Sequence, residues 1–274
     1  MSPSLIKSID HFISFDYSKV YIEAAYESIF RFFVVPYVPF IFVLCYLLFS
    51  KPLCQIVRDS LKLQSKGGIL DKFVTIHSAV LAVYSAWTCY YSWNIVYNFM
   101  IENENSLNRA LCDVDGTLWI DKGFSFWVLH FYVSKFYEFL DTWIIILKGK
   151  KVSFLQEFHH AGIAISMWGF YVSSASVVLI IVCFNSFIHT VMYTYYTAAS
   201  FGYRSPLKNY LTMAQITQFI IGMTITVPTH FYPNCLSSSQ SFVLFMTQIY
   251  TVILIVLFVW FYKDEYSKKK PKAI

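Results

Sequence analysis

Residues 124–171 read FSFWVLHFYVSKFYEFLDTWIIILKGKKVSFLQEFHHAGIAISMWGFY, and this stretch decides the fold. The basic tetrad Lys148-Gly149-Lys150-Lys151 divides it into two mainly apolar runs, 124–147 and 153–171. An α-helix needs roughly 20 such residues to cross a hydrocarbon core. Working outward, runs of the same kind occupy 29–50 and 71–93 on one side, and 176–198, 207–229 and 241–262 on the other. The sequence therefore predicts an all-α polytopic membrane protein with seven transmembrane helices and one domain over 1–274. The run at 153–171 is the most polar, carrying Gln156, Glu157, His159 and His160. Pro36 and Pro39 in the first run are tolerable in lipid, where neighbouring helices satisfy freed carbonyls.

Composition supports the same class. Only 14% of residues are charged and 57% are apolar, where a soluble domain is about a quarter charged. Aromatic residues make up 20%, more than two interfacial belts use, so many rings must lie between helices or line an internal cavity. The net charge of +5 resides in short loops and reads as loop asymmetry, not as a nucleic-acid footprint. The six cysteines show no C-x-x-C spacing, which argues against a structural zinc site, and no metal centre is expected. The first 28 residues lack the basic start, compact apolar core and small-residue cleavage site of a removable signal peptide.

Lys and Arg mark the cytosolic side. They collect at Lys51, Arg58, Lys62 and Lys66, at 148–151, at Arg204 and Lys208, and at Lys268, Lys269, Lys270 and Lys272. The alternate connections are acidic (94–123) or uncharged (230–240). This places the N-terminus in the lumen and the C-terminus in the cytosol. The end, Lys270-Pro271-Lys272-Ala273-Ile274, resembles a dilysine signal for retrieval to the endoplasmic reticulum; the alternative is a plain basic tail. Cys112 and Cys235 are the two cysteines of the lumenal loops, where an oxidising compartment lets them pair; the alternative is two unpaired thiols.

Ionisable groups within a membrane are costly and mark function by default. Asp141 lies seven residues before Lys148, His159 eight after Lys151, and Gln215 seven after Lys208. With His189 at a similar remove from its own helix end, all sit roughly 10–14 Å inside the cytosolic boundary. Three- and four-residue spacing groups Gln156 with His159 and His160; Asn185 with His189, Met192, Tyr193 and Tyr196; Lys135 with Glu138, Asp141 and Thr142; and Gln215 with Gln218 and Gly222. Interhelical hydrogen bonding alone explains Gln215, Gln218 and Asn185 taken singly, but the histidines at one depth point to chemistry. Lys135 and Glu138 read as an ion pair that fixes position. His11, His77, His130 and His230 read as packing, interface or loop residues.

In order along the chain stand Lys135-x-x-Glu138-x-x-Asp141-Thr142, Gln156-x-x-His159-His160, Asn185-x-x-x-His189-x-x-Met192-Tyr193-x-Tyr195-Tyr196 and Thr212-x-x-Gln215-x-x-Gln218. This set resembles the ELO family of fatty acid elongases, whose boxes read KxxExxDT, HxxHH, NxxxHxxMYxYY and TxxQxxQ. One departure is Gln156, where the box has its first histidine. That variant resembles elongases acting on polyunsaturated chains in microbial eukaryotes.

The resemblance implies helices around an enclosed acyl tunnel in the endoplasmic reticulum membrane. It also implies condensation of a long-chain acyl-CoA with malonyl-CoA to 3-oxoacyl-CoA, carbon dioxide and CoA, with no tightly bound cofactor. His159, His160, His189 and Asp141 are the expected catalytic residues. Gln156, Asn185, Tyr193, Lys135, Glu138, Thr142, Gln215 and Gln218 support them. A neutral imidazole is a good nucleophile near pH 7, so the expected path has His159 taking the acyl group before malonyl-CoA enters. Direct condensation, with histidine as a base only, remains open. Lys148, Lys150, Lys151, Arg204 and Lys208 are candidate partners for the CoA phosphates; ordinary positive-inside charge is the alternative for each. The bilayer, a homodimer, and the reductases and dehydratase of the elongation cycle are the implied partners.

Two rivals remain. A membrane di-iron desaturase or hydroxylase also carries x-x-His-His boxes but needs about eight nitrogen ligands, and the chain has seven histidines. A lipid transporter or receptor would explain buried polar groups but not the ordered boxes.

Overall fold

The computed structural model describes residues 16–63, 68–203 and 207–267, and the described chain is helical with no strand. Helices α1 (Glu27–Val34), α2 (Tyr37–Ser60), α3 (Ile69–Glu102) and α4 (Leu107–Cys112) come first. They are followed by α5 (Phe124–Tyr137), α6 (Phe139–Leu147), α7 (Phe154–Val172), α8 (Leu179–Ser200), α9 (Leu207–Thr226) and α10 (Ser238–Tyr262). Among the described residues, five segments are long and apolar enough to cross a membrane: Tyr37–Ser60, Ile69–Glu102, Ser176–Ser200, Lys208–Phe231 and Ser238–Glu265. This is a multi-pass membrane protein.

The remaining two predicted spans differ from expectation for physical reasons. The run 124–147 is two helices, because at Glu138 the ladder tightens to a three-residue step, Asp141 N–H bonding the Glu138 carbonyl at 3.0 Å. The run 153–171 is one unbroken helix, α7, but Gln156, Glu157, His159 and His160 lower its hydropathy below that of the other five. The first predicted span also divides. Val35 is extended (φ −64°, ψ 131°), as a residue before proline prefers, and α2 restarts after Pro36. Pro39 then falls in the first turn of α2, where its missing N–H costs nothing.

The packing order follows side-chain size. α3 presents a buried stripe of Ser78, Leu81, Ser85, Thr88, Ser92, Val96 and Phe99, each three or four residues on from the last. Small residues let backbones approach, and α3 packs most extensively on α8. From there the neighbours run α8 to α9, α9 to α10, α10 to α7, α7 to α5, and α5 back to α3. α2 lies outside this ring against α6 and α7, and only 11% of its span is buried, against 61% for the span containing α8.

One end of the bundle is tied by polar contacts. Asp113, left-handed at φ 39°, ends α4 and accepts the N–H groups of Leu118 and Trp119 (both 2.9 Å) and the Ser176 hydroxyl (2.8 Å). Burial pushes its carboxyl above the usual carboxylate range, and these donors oppose the shift. A disulfide joins Cys112 to Cys235 across 123 residues. Closing so long a loop restrains the unfolded chain, so Cys112→Ser should lower stability by about 2–5 kcal/mol. Melting of the purified protein with and without reductant checks this: the wild type should lose Tm on reduction and the variant should not.

Candidate active site

α7 starts where Ser153 caps it, the Ser153 hydroxyl accepting the Gln156 N–H at 3.2 Å, so Gln156, His159 and His160 occupy its first two turns. The two histidines diverge. His160 is buried with Tyr46 and Phe139 edge-on to its ring, and the Gln156 amide nitrogen donates to its Nε2 at 2.7 Å. Its Nδ1 has no partner among the described residues. Gln156, the departure from the box, thus orients His160. Tyr46 stacks on Phe139 at 4.1 Å and shares a 2.8 Å hydrogen bond with Thr142, which explains why Thr142 sits on that face.

His159 points the other way, into an apolar cavity between α7, α8, α9 and α10. From His159 the lining continues along α7 through Ile163 to Phe170, a run of roughly 16 Å at 1.5 Å per residue. Asn185 and Gln218 face the same space, and Gln218 Oε1 has no partner among the described residues. The cavity is narrow, ≈ 70 Å³. Space of that size holds about five water molecules, so a long hydrocarbon must widen it by turning side chains such as Phe184 and Phe219. The Tyr250 hydroxyl, from α10, donates to the His159 carbonyl at 2.8 Å and lies 3.3 Å from His159 Nδ1.

Behind this wall stands a charged cluster. Lys135 and Glu138 form a 2.7 Å ion pair with side chains 1% and 3% exposed. The Lys135 ammonium also lies 3.4 Å from Asn185 Oδ1 and 3.8 Å from the Phe131 ring centroid. His189 Nδ1 is 3.7 Å from the same Glu138 oxygen, whereas the second oxygen is buried without a partner among the described residues. Asn185 therefore connects the ion pair to the cavity wall.

Asp141 orients an imidazole, but a different one from the motif histidines: His77 of α3 reaches its Oδ1 at 2.9 Å, and Tyr193 donates to its Oδ2 at 2.6 Å. Tyr137 lies 3.3 Å from the other His77 nitrogen. His77, read from sequence as packing, is a member of the polar network; its burial inside a membrane-length helix was the available signal. Nothing in the sequence singles out Tyr250 from 21 tyrosines. Gln215 contacts Met192 Sδ at 3.5 Å, outside the histidine contacts.

The candidate phosphate partners are dispersed. Lys148 pairs with Asp71 at 2.8 Å and Lys208 with Glu265 at 2.8 Å. Lys150 and Lys151 are exposed, and Gly149 between them and Lys148 lies beside the Arg58 guanidinium. Arg204 and the lysines from 268 onward lie outside the described residues, as do Lys66 and His11. Among the described residues, no three of His, Cys, Asp and Glu converge as a metal-holding group.

The chain is 30% identical over 233 residues to very long chain fatty acid elongase 2 of Mus musculus, covering 78% of this chain and 70% of that one. It is 31% identical over 184 residues to very long chain fatty acid elongase 5 of Xenopus tropicalis, covering 65% and 58%. Fatty acid elongase 2 of Trypanosoma brucei brucei is 32% identical over 128 residues, covering 46% and 47%. Residues 32–274, which include every residue placed in the site above, match the GNS1/SUR4 family. The chain belongs to the ELO (GNS1/SUR4) family.

Proposed function

We propose that this protein condenses a long-chain acyl-CoA with malonyl-CoA to 3-oxoacyl-CoA, carbon dioxide and CoA, through an acyl group carried on His159. The observation behind this reading is the separation of the three motif histidines. His159 alone of the three opens on the apolar cavity, while His160 is held by Gln156 and His189 stands beside Glu138. A hydrocarbon laid along α7 brings a thioester carbon to His159, and the surrounding apolar walls protect an acyl-imidazole from water. Asn185 and Gln218, which line the same cavity, serve as donors to the oxygen that gains charge. His160 and His189 serve charge stabilisation in the condensation step.

In this reading the seven helical runs all cross the endoplasmic reticulum membrane, α1 and α2 together as the first and α5 and α6 together as the third. The N-terminus is lumenal and the C-terminus cytosolic, by the loop charge. The CoA phosphates then meet Lys148, Lys150, Lys151, Arg204 and Lys208 on the cytosolic side. The cavity is the acyl tunnel, its far end set by residues such as Leu244 and Thr226.

Incubating the purified protein with a long-chain acyl-CoA and no malonyl-CoA should add one acyl mass to the intact protein. Addition of malonyl-CoA should then discharge it as 3-oxoacyl-CoA. Product without any adduct would replace the covalent path by direct condensation; neither, across saturated and polyunsaturated donors, would refute the reading.

A further inference from the structure

We infer that Tyr250 is a positioning residue for His159, holding the imidazole as its Nδ1–H tautomer so that Nε2 is the reacting atom. This rests on the role given to His159 above. A phenol has one proton, and the 2.8 Å contact commits it to the His159 carbonyl. The 3.3 Å contact to Nδ1 must then run the other way, with Nδ1–H donating to the Tyr250 oxygen. Nε2 is left with a free lone pair, and it makes no hydrogen bond to a described residue. A tautomer is set by the hydrogen bond the other nitrogen makes.

Two features of α7 hold the phenol there. The Tyr250 ring lies against Phe158 at 5.3 Å between centroids, and Gly162, on the same face as Phe158 and His159, admits it to the helix backbone. A Cβ on Gly162 would stand 2.1 Å from Tyr250 Cε2 and 2.8 Å from Cζ, so any larger residue must move the ring. Tyr250 also borders an open apolar groove of ≈ 610 Å³, lined with it by Gly162, Phe40 and Met246. The ring has somewhere to go, so Gly162→Ala displaces it without demanding that the bundle unfold.

The bond to Tyr250 also completes the proton balance. Nε2 attacks the thioester carbon, the C–S bond breaks, and the CoA thiolate takes a proton from solvent. The histidine is then an acylimidazolium that keeps its Nδ1 proton on the Tyr250 oxygen. Malonyl-CoA loses carbon dioxide, and the electron pair of the broken C–C bond forms the new bond to the acyl carbon. The C–N bond breaks and its pair returns to Nε2. The cation is cancelled by the malonyl carboxylate, so no further base is needed.

The test uses the full chain in detergent with acyl-CoA at varied concentration. Tyr250→Phe keeps the ring and removes both hydroxyl contacts to His159, so kcat and the rate of adduct formation should fall about tenfold with KM for acyl-CoA unchanged. Gly162→Ala should give the same split, and decides the matter when Tyr250→Phe does not fold. In the Tyr250→Phe background, Nδ-methylhistidine at position 159 should still acylate, and Nε-methylhistidine should not. Unchanged kcat in both variants, an effect on KM alone, or acylation of the Nε-methyl form overturns the inference. A wild type that makes product without an adduct refutes the covalent step separately. In that case, lower kcat at constant KM supports Nε2 as the base, and its absence overturns the positioning role.

Discussion

His159→Ala should abolish the acyl-enzyme and lower condensation by about a thousandfold or more, the size of loss seen when a covalent nucleophile is removed. His160→Ala and His189→Ala should behave differently. Neither ring lines the cavity, so both variants should still acquire the acyl mass and fail mainly at its discharge. Single-turnover acylation, followed separately from 3-oxoacyl-CoA formation, distinguishes these steps. An adduct of normal yield on His159→Ala would move the acyl group to another residue. Equal loss of acylation in all three variants would make them one inseparable unit.

The second large effect is on stability. Lys135→Met alone leaves the Glu138 carboxylate buried, one oxygen already without a partner among the described residues, and should cost about 3–5 kcal/mol. Lys135→Met with Glu138→Met removes both charges, and replacement of a whole buried pair by apolar residues is often neutral or better. The double variant should therefore melt above the Lys135→Met single variant. Activity should not return with it, because Asn185 and His189 lose the groups that fix them. Thermal melting and condensation measured on the same preparations check both halves. A double variant less stable than the single would mean that the pair contributes net stability beyond its desolvation cost.

These two expectations divide the cluster into parts with separate duties. The pair of Lys135 and Glu138 braces the wall through Asn185, while Asp141 braces α3 against α8 through His77 and Tyr193. The box of residues 135–142 thus faces α2, α3 and α8 at once: Thr142 meets Tyr46, Asp141 meets His77 and Tyr193, and Lys135 meets Asn185. A straight helix would keep residues 135, 138 and 142 on one stripe.

Apolar runs of membrane length made the helical, multi-pass architecture legible from residues 124–171 outward, because lipid leaves a backbone few ways to satisfy itself. The polar boxes were legible for the related reason that ionisable groups in lipid need a purpose. Pro36 was a visible mark of the break between α1 and α2, although the reading kept one span there; Glu138 carried no such mark, and only packing shows the turn. Which histidine opens on the cavity was also beyond the sequence, since His159 and His160 are adjacent and a rotation of about 100° between them sends one to Tyr250 and the other to Tyr46. The same holds for Tyr250, Gly162 and His77, whose partners lie 91, 88 and 64 residues away along the chain. The chain sequence by itself determined that helices would form, that they would sit in a membrane, and that they would carry buried polar groups, all properties of local composition and period. The tertiary structure alone decided which of those groups meet, because contacts between helices depend on rotation and side-chain volume that no local pattern encodes.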